Sequence, residues 1–151
     1  MIETTVMADQ AAAGELFQQI QQFYARQMRL LDTGAAEEWA DTFTEDGVFH
    51  QNVAEPLTGR ANIAVASRKR VDQLVGDGVT RRHWLGMLEV DPPGSDGVVR
   101  TRYYAISMAT PRGAGARPQI TASTVAEDTL VRHDGVWLVR HRLVTHDGTT
   151  A

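Results

Sequence analysis

Leu16, Phe17, Ile20, Phe23, Tyr24, Met28 and Leu31 recur at spacings of three and four, which lays one broad apolar face along a helix from about residue 14 to 32. Residues 1–13 are small and polar with no such period, and are expected to form a flexible arm. Gly34 stands where a left-handed residue commonly ends a helix. Residues 35–43 fit a short second helix anchored by Trp39 and Phe43. A third helix is expected over 60–75, with Ile63, Ala66, Val71 and Leu74 inward and Arg68, Lys69 and Asp72 in water. Between the second and third helices, the acidic turn Glu45-Asp46-Gly47 releases a strand that puts Phe49, Gln51 and Val53 on one face and Val48, His50 and Asn52 on the other.

After Gly76 the pattern changes to β-branched and aromatic runs cut by turn signals, which predicts antiparallel strands at 80–90, 98–109, 119–132 and 136–146. The separators are "DPPGSDG", "PRGAGARP" and the tight hairpin signal "HDG". Strands this long in a small domain imply a strongly bent sheet. Helices gathered first and strands after them argue for an α+β class: three helices packed on one face of a mostly antiparallel sheet. One domain over 14–146 is expected, followed by a flexible tail at 147–151.

Composition narrows the partners more than the fold. The chain has 151 residues and no cysteine, which removes disulfides, thiolate metal sites and a cysteine nucleophile. A net charge of −4 argues against nucleic acid or an anionic membrane as the main partner and favours a small molecule. Fourteen of the fifteen basic residues are Arg, scattered without a phosphate-binding pattern. No apolar run approaches the ~18 residues of a membrane span, and the N-terminus lacks the basic start and apolar centre of a secretion signal, so a cytoplasmic location is expected. Neither HxH nor HExxH spacing occurs, nor GxGxxG, GxxxxGK[ST] or GxSxG, so neither a metal nor a nucleotide cofactor is expected.

The element order, together with "LLDTGAAEEWADTFTEDGVF", "LTGR", "RRHWLGMLEV" and "DGVWLVRHRLV", resembles the SnoaL-like branch of the nuclear transport factor 2 superfamily over residues 14–146. The resemblance implies a cone in which a bent sheet surrounds a deep apolar pocket and helices close its wide end. Relatives on this fold include ketosteroid isomerase, scytalone dehydratase, bacterial polyketide cyclases and the small subunits of ring-hydroxylating dioxygenases. A homodimer is a family expectation, and Trp137, Val139 and Leu143, set against Arg140 and Arg142, are candidates either for that contact or for helix packing.

The resemblance also orders the candidate chemistry. Gln51 matches a position pointing into the pocket, where ketosteroid isomerase has a carboxylate base and scytalone dehydratase a tyrosine. An amide cannot take a proton at neutral pH but can hold an oxygenated substrate, as Phe49 on the same face could hold a ring. Asp32 falls at the last turn of the first helix, where the negative end of the helix dipole is costly for a carboxylate. It matches a scytalone dehydratase aspartate that orients a histidine, and His83 in "TRRHWLG" matches that histidine. Read so, Asp32 and His83 are a general acid–base pair; read plainly, Asp32 caps a turn and His83 packs. Tyr24 lies two turns before Asp32 with Gln27 and Met28 between them, and Gln27, not Tyr24, matches the isomerase's tyrosine. Tyr24 is either an oxyanion donor or a core residue with its hydroxyl satisfied.

In "VVRTRYYAISM", Arg100, Arg102, Tyr104 and Ile106 share one face and Thr101, Tyr103 and Ala105 the other. Arg102 matches a second dehydratase histidine and could bind a carboxylate or phenolate, with a salt bridge to Asp128 as the alternative. Tyr104 joins it as a substrate-binding candidate. Ala126 replaces the dehydratase's pocket asparagine. His133 and His146 are expected in solvent, and strand parity leaves His141 open.

Three functions follow. The first is a cofactor-independent acid–base enzyme, a cyclase or dehydratase acting on an aromatic or polycyclic polyketide intermediate. The second is a non-catalytic pocket protein that binds an intermediate or partner enzyme and controls stereochemistry. The third is an oxygenase small subunit.

Overall fold

The computed structural model describes residues 1–149. The elements run α1 (Ile2–Asp32), α2 (Ala36–Ala40), β1 (Phe43–Gln51), β2 (Leu57–Thr58), α3 (Arg60–Gly76), β3 (Val79–Val90), β4 (Val99–Pro111), β5 (Gln119–His133) and β6 (Val136–His146). The six strands form one curved, unclosed sheet in the order β2-β1-β6-β5-β4-β3, with the three helices on its concave side. All pairings are antiparallel except β1 with β6. The fold is therefore the expected α+β cone.

Helix α1 begins at Ile2 rather than at residue 14, so the stretch expected as an arm is helical, with every side chain in it exposed. Small, polar, alanine-rich sequence has no apolar face to bury, yet its helix propensity is high. The second helix stops at Ala40, and Phe43 opens β1 instead of ending the helix. Of the C-terminal tail, Asp147 accepts from Ser123 Oγ at 2.6 Å and Thr149 Oγ1 accepts from Asn52 at 2.7 Å, while 150 and 151 lie outside the described residues.

The core lies between helices and sheet: Ile20 and Tyr24 of α1, Trp39 and Ala40 of α2, Ile63 of α3, and Phe43, Val99, Tyr103, Ala126, Leu130 and Val139 of the sheet. Burying a side chain such as Phe43 or Ile20 contributes about 1.5–3 kcal/mol. Trp39, Phe43 and Phe49 meet edge to face with centroids 5.0–6.2 Å apart. This cluster fixes how β1 sits under α2.

Four bulges interrupt the strand pairings and decide which side chains point inward; on β5, Thr121 is the extra residue between Ala122–Ser107 and Ile120–Met108. On β1, residues 44–47 bulge out between the pairs Phe43–Val139 and Val48–His141. On β3, an extra residue separates Gly86–Tyr104 from Glu89–Arg102, with Met87 at φ 52°, so Leu85 and Leu88 both turn toward the core. On β6, Arg140 is the extra residue between Val139–Leu130 and His141–Thr129. Because strand side chains alternate, each insertion reverses the facing of everything beyond it.

The β1 bulge requires glycine at its last position. A Cβ on Gly47 would meet Thr44 O at 2.9 Å and Phe43 Cβ at 3.1 Å. Gly47→Ala is expected to destabilise the fold by about 1–3 kcal/mol, measured as a lower urea midpoint at unchanged slope.

Candidate active site

Asp32 and His83 are in direct contact. Helix α1 ends at Asp32 because Thr33 N–H and Ala35 N–H close back on Arg29 O and Leu30 O, with Gly34 at φ 89° turning the chain away. The carboxylate so placed accepts His83 backbone N–H on Oδ2 at 2.9 Å and meets imidazole Nδ1 on Oδ1 at 2.5 Å. Two donors from β3 thus offset the unfavourable helix-end position. The side chains of His83 and Asp32 are only 16% and 9% exposed. With Nδ1–H donated to Asp32, Nε2 is the nitrogen left with a free lone pair.

His83 stands between two cavities. The larger, about 520 Å³, runs between the concave sheet face and helices α2 and α3, with Met28, Phe49, Gln51, His83 and Tyr103 in its wall. The smaller, about 330 Å³, lies between α1 and β3, with Tyr24, Asp32, His83, Leu88 and Tyr103 in its wall. The larger volume is within the range of small-molecule sites.

Beneath the cavities runs a closed polar network that the sequence reading did not anticipate. Asp128 accepts Arg142 Nε at 2.9 Å and Nη2 at 2.7 Å, Tyr24 hydroxyl at 2.8 Å and Tyr103 hydroxyl at 3.3 Å. Arg142 also donates to Gln27 Oε1 at 2.7 Å, and Gln27 Nε2 donates to Thr42 Oγ1 at 2.7 Å. The Tyr24 oxygen is also 2.5 Å from Thr101 Oγ1. Burial alone would pull the Arg142 guanidinium down, but Asp128 and the tyrosines more than reverse this and hold it above the ordinary arginine value. Burial first, and the Asp128 charge as well, push both tyrosines well above the ordinary value of 10.0.

Those raised values fix the sign of an alkaline effect. Unfolded tyrosines ionise near pH ~10, whereas Tyr24 and Tyr103 stay protonated in the fold. Their contribution is complete below that pH and is lost above it, as the unfolded chain gives up protons that the native state keeps. Thermal melts at pH ~9 and ~11 are expected to show a lower midpoint at the higher pH. In the native protein, the phenolate absorbance of these two rings should be missing near pH ~10.

The remaining candidates divide. Met28, Phe49 and Gln51 line the larger cavity, and the Tyr24 ring lines the smaller. Tyr24's hydroxyl is committed to the network, and Gln27, fully buried and bonded at both ends of its amide, lines neither cavity. Arg102 and Tyr104 are on the convex face, where Arg102 pairs with Glu127 at 3.3 Å, not with Asp128, and Tyr104 is 56% exposed. The alternation in β4 holds, but the inward face is the one carrying Thr101, Tyr103 and Ala105. His141 also faces the convex side, in a groove beside Arg100 and Glu127. Trp137 packs toward α1, its Nε1 donating to Gln19, and Val139 is core, so neither belongs to an exposed subunit face.

His146 is not solvated: its Nε2 donates to Gln51 Oε1 at 3.0 Å in the cavity wall. Parity from Gln51 and its partner Val144 could have found it. Arg81 was equally legible, two residues before His83 on the same face of β3. Among the described residues, no group of three His, Asp or Glu is placed to hold a metal ion. No described helix is long and apolar enough to cross a membrane.

Comparison with known proteins agrees with this geometry. Aln2 from a Streptomyces species superposes with a TM-score of 0.80 at 34% identity, over 88% of this chain and 91% of that one. ActVI-ORFA from Streptomyces coelicolor gives 0.83 at 29%, over 91% and 99%. A Catenulispora acidiphila protein solved in complex with S-DNPA gives 0.75 at 36%, over 89% and 95%. No curated protein sequence matches the chain. The family model described as a SnoaL-like domain matches residues 15–143, most of the chain, so with its curved sheet and helix-covered cavity the protein belongs to the SnoaL-like family of the nuclear transport factor 2 superfamily.

Proposed function

We propose that this protein is a cofactor-independent acid–base enzyme, a cyclase or dehydratase, that acts in the cytoplasm on an aromatic or polycyclic intermediate of polyketide type. The observation that carries this reading is the Asp32–His83 pair, held at 2.5 Å in the wall of a 520 Å³ cavity. That the 36% identical Catenulispora protein was solved in complex with S-DNPA supports a small-molecule ligand for this one.

In a dehydration, Nε2 of His83 takes the proton alpha to a carbonyl and the C–H electrons form the new double bond. The β-hydroxyl leaves as water, protonated by the imidazolium just formed, which returns the histidine to its starting state. Asp32 stabilises the imidazolium and keeps Nε2 directed at the cavity. The Gln51 amide and the Tyr103 ring hold the substrate against it. An aldol-type ring closure uses the same first step, with the enolate carbon attacking a second carbonyl.

A non-catalytic reading is supported by Gln51, whose carbonyl is occupied by His146, and by Ala126, which offers no polar group. Incubating the purified protein alone with a β-hydroxy ketone intermediate separates the two. Growth of the conjugated chromophore supports catalysis. Tight binding without conversion, or a changed product ratio only when another enzyme is present, supports the binding role. The family homodimer, if formed, is proposed to use the convex sheet face, where Trp84, Tyr104, Ile106 and Ile120 are exposed.

A further inference from the structure

Strand β6 ends in Val144-Thr145-His146, and alternation from Val144, the partner of Gln51 on the parallel strand β1, returns His146 to the cavity face. Its main chain is clamped there. His146 N–H donates to Asn52 Oδ1 at 2.9 Å, its carbonyl accepts from Thr149 Oγ1 at 2.7 Å, and Asn52 Nδ2 donates to the same Thr149 oxygen at 2.7 Å. The clamp ties the end of β6 to the turn after β1 and sets the imidazole beside Gln51, with Nε2 3.0 Å from Oε1.

A glutamine amide can turn either end to a neighbour, and the neighbour decides which. Imidazolium can only donate, and the neutral ring protonated at Nε2 donates as well; the Nδ1–H form alone would accept from the amide nitrogen. His83 has Asp32 to hold a proton on Nδ1, whereas Nδ1 of His146 has no such partner among the described residues. The ring therefore fixes the Gln51 carbonyl. The amide nitrogen, with no partner among the described residues, is left for the cavity that Gln51 lines. Held in this way, Gln51 offers the cavity hydrogens and no lone pair.

We infer that His146 is a positioning residue: it locks Gln51 as a donor-only group that anchors a ligand oxygen on the β1 side of the cavity and so fixes which end of the ligand meets His83. Gln51 stands on β1 and His83 on β3, with β6, β5 and β4 between them, so the two groups take opposite ends of one molecule. Unlocked, the amide would rotate between donor and acceptor and hold a carbonyl or a hydroxyl equally well, and the ligand would enter in both senses. The inference rests on the proposal that this cavity is the ligand site. It does not depend on His83 acting as a base.

Two measurements test it. Long-range proton–nitrogen NMR of the ligand-free wild type at pH ~8, above the ordinary histidine range, is expected to show His146 protonated at Nε2 and bare at Nδ1. The opposite tautomer overturns the inference, and no variant has to fold for this result. The second measurement is a double-mutant cycle on the affinities of 2-acetonaphthone and of 2-ethylnaphthalene, a near-isostere without the oxygen, followed by quenching of tryptophan fluorescence, since Trp39 lines the cavity. The ratio of the two affinities, ketone over hydrocarbon, is expected to fall about 3–10-fold in Gln51→Leu and by less in His146→Leu. In the double variant it should equal that of Gln51→Leu, because a positioning residue has no effect once the group it positions is gone. The clamp uses only main-chain atoms of His146 and survives His146→Leu, and a merely structural loss would weaken both ligands alike. An unchanged ratio in either single variant, additive losses in the double, or no binding of either probe overturns the inference. His83→Ala should leave the ratio as in the wild type. Turnover that needs His83, with one ratio throughout, sinks this inference alone, while the expected ratios without turnover sink the enzymatic proposal alone.

Discussion

Replacing His83 with alanine is expected to slow conversion of the substrate by ~10²–10⁴-fold while binding changes little. The imidazole is the one group in the wall of both cavities that can take and return a proton near neutral pH and is anchored at its other nitrogen by a carboxylate. Gln51 cannot replace it, and the tyrosines are held protonated by burial and by Asp128. Asp32→Asn should cost less than His83→Ala, because the imidazole remains but loses its fixed tautomer and the charge that stabilises its protonated form. Stopped-flow turnover alongside ligand titration separates a rate effect from a binding effect. A His83→Ala protein with unchanged rate would place the proton transfer on another residue.

The largest stability effect is expected at Asp128. Asp128→Ala leaves Arg142 buried and charged with only Gln27 for company, strands the hydroxyl of Tyr103 and leaves that of Tyr24 with Thr101 alone. Breaking a buried pair by removing one partner costs about 3–5 kcal/mol, a drop in midpoint on the order of 10 °C for a chain of this size. The apolar double replacement Asp128→Leu/Arg142→Met should recover much of the loss, because the penalty lies in the stranded charge more than in the missing attraction. Urea melts of the two variants test this. If the single replacement cost under ~1 kcal/mol, the network would be no more important than a surface ion pair.

The fold was legible in the sequence because its signals are local. The period along α1, the β-branched runs after Gly76 and the hairpin turn at Gly135 each specify an element without knowledge of the others, and strand ends fell within one or two residues of the observed ones. The limits lay where apolar content was weak. The alanine-rich segment before residue 14 is helical by propensity alone, and the two-residue β2 carries no pattern.

At the site, Asp32 and His83 could be named together because the resemblance aligned them across 51 residues of sequence. Arg142 could not, because the extra residue at Arg140 reverses parity and turns inward a side chain that simple alternation puts outside. Arg102 and Tyr104 failed for a different reason: alternation groups residues by face but does not say which face meets the core. The buried residues of β4, among them Val99, Thr101 and Tyr103, settle that only in three dimensions.

The central claim is that His83, held by Asp32, moves a proton to and from carbon inside the cavity. Its most direct measurement is deuterium incorporation, by NMR in heavy water, at the α-carbon of a bound ketone that lacks the β-hydroxyl and so cannot react further. The wild-type protein is expected to catalyse the exchange and His83→Ala to lose it. Exchange at the same rate in both proteins, with the ligand bound in each, would contradict the account.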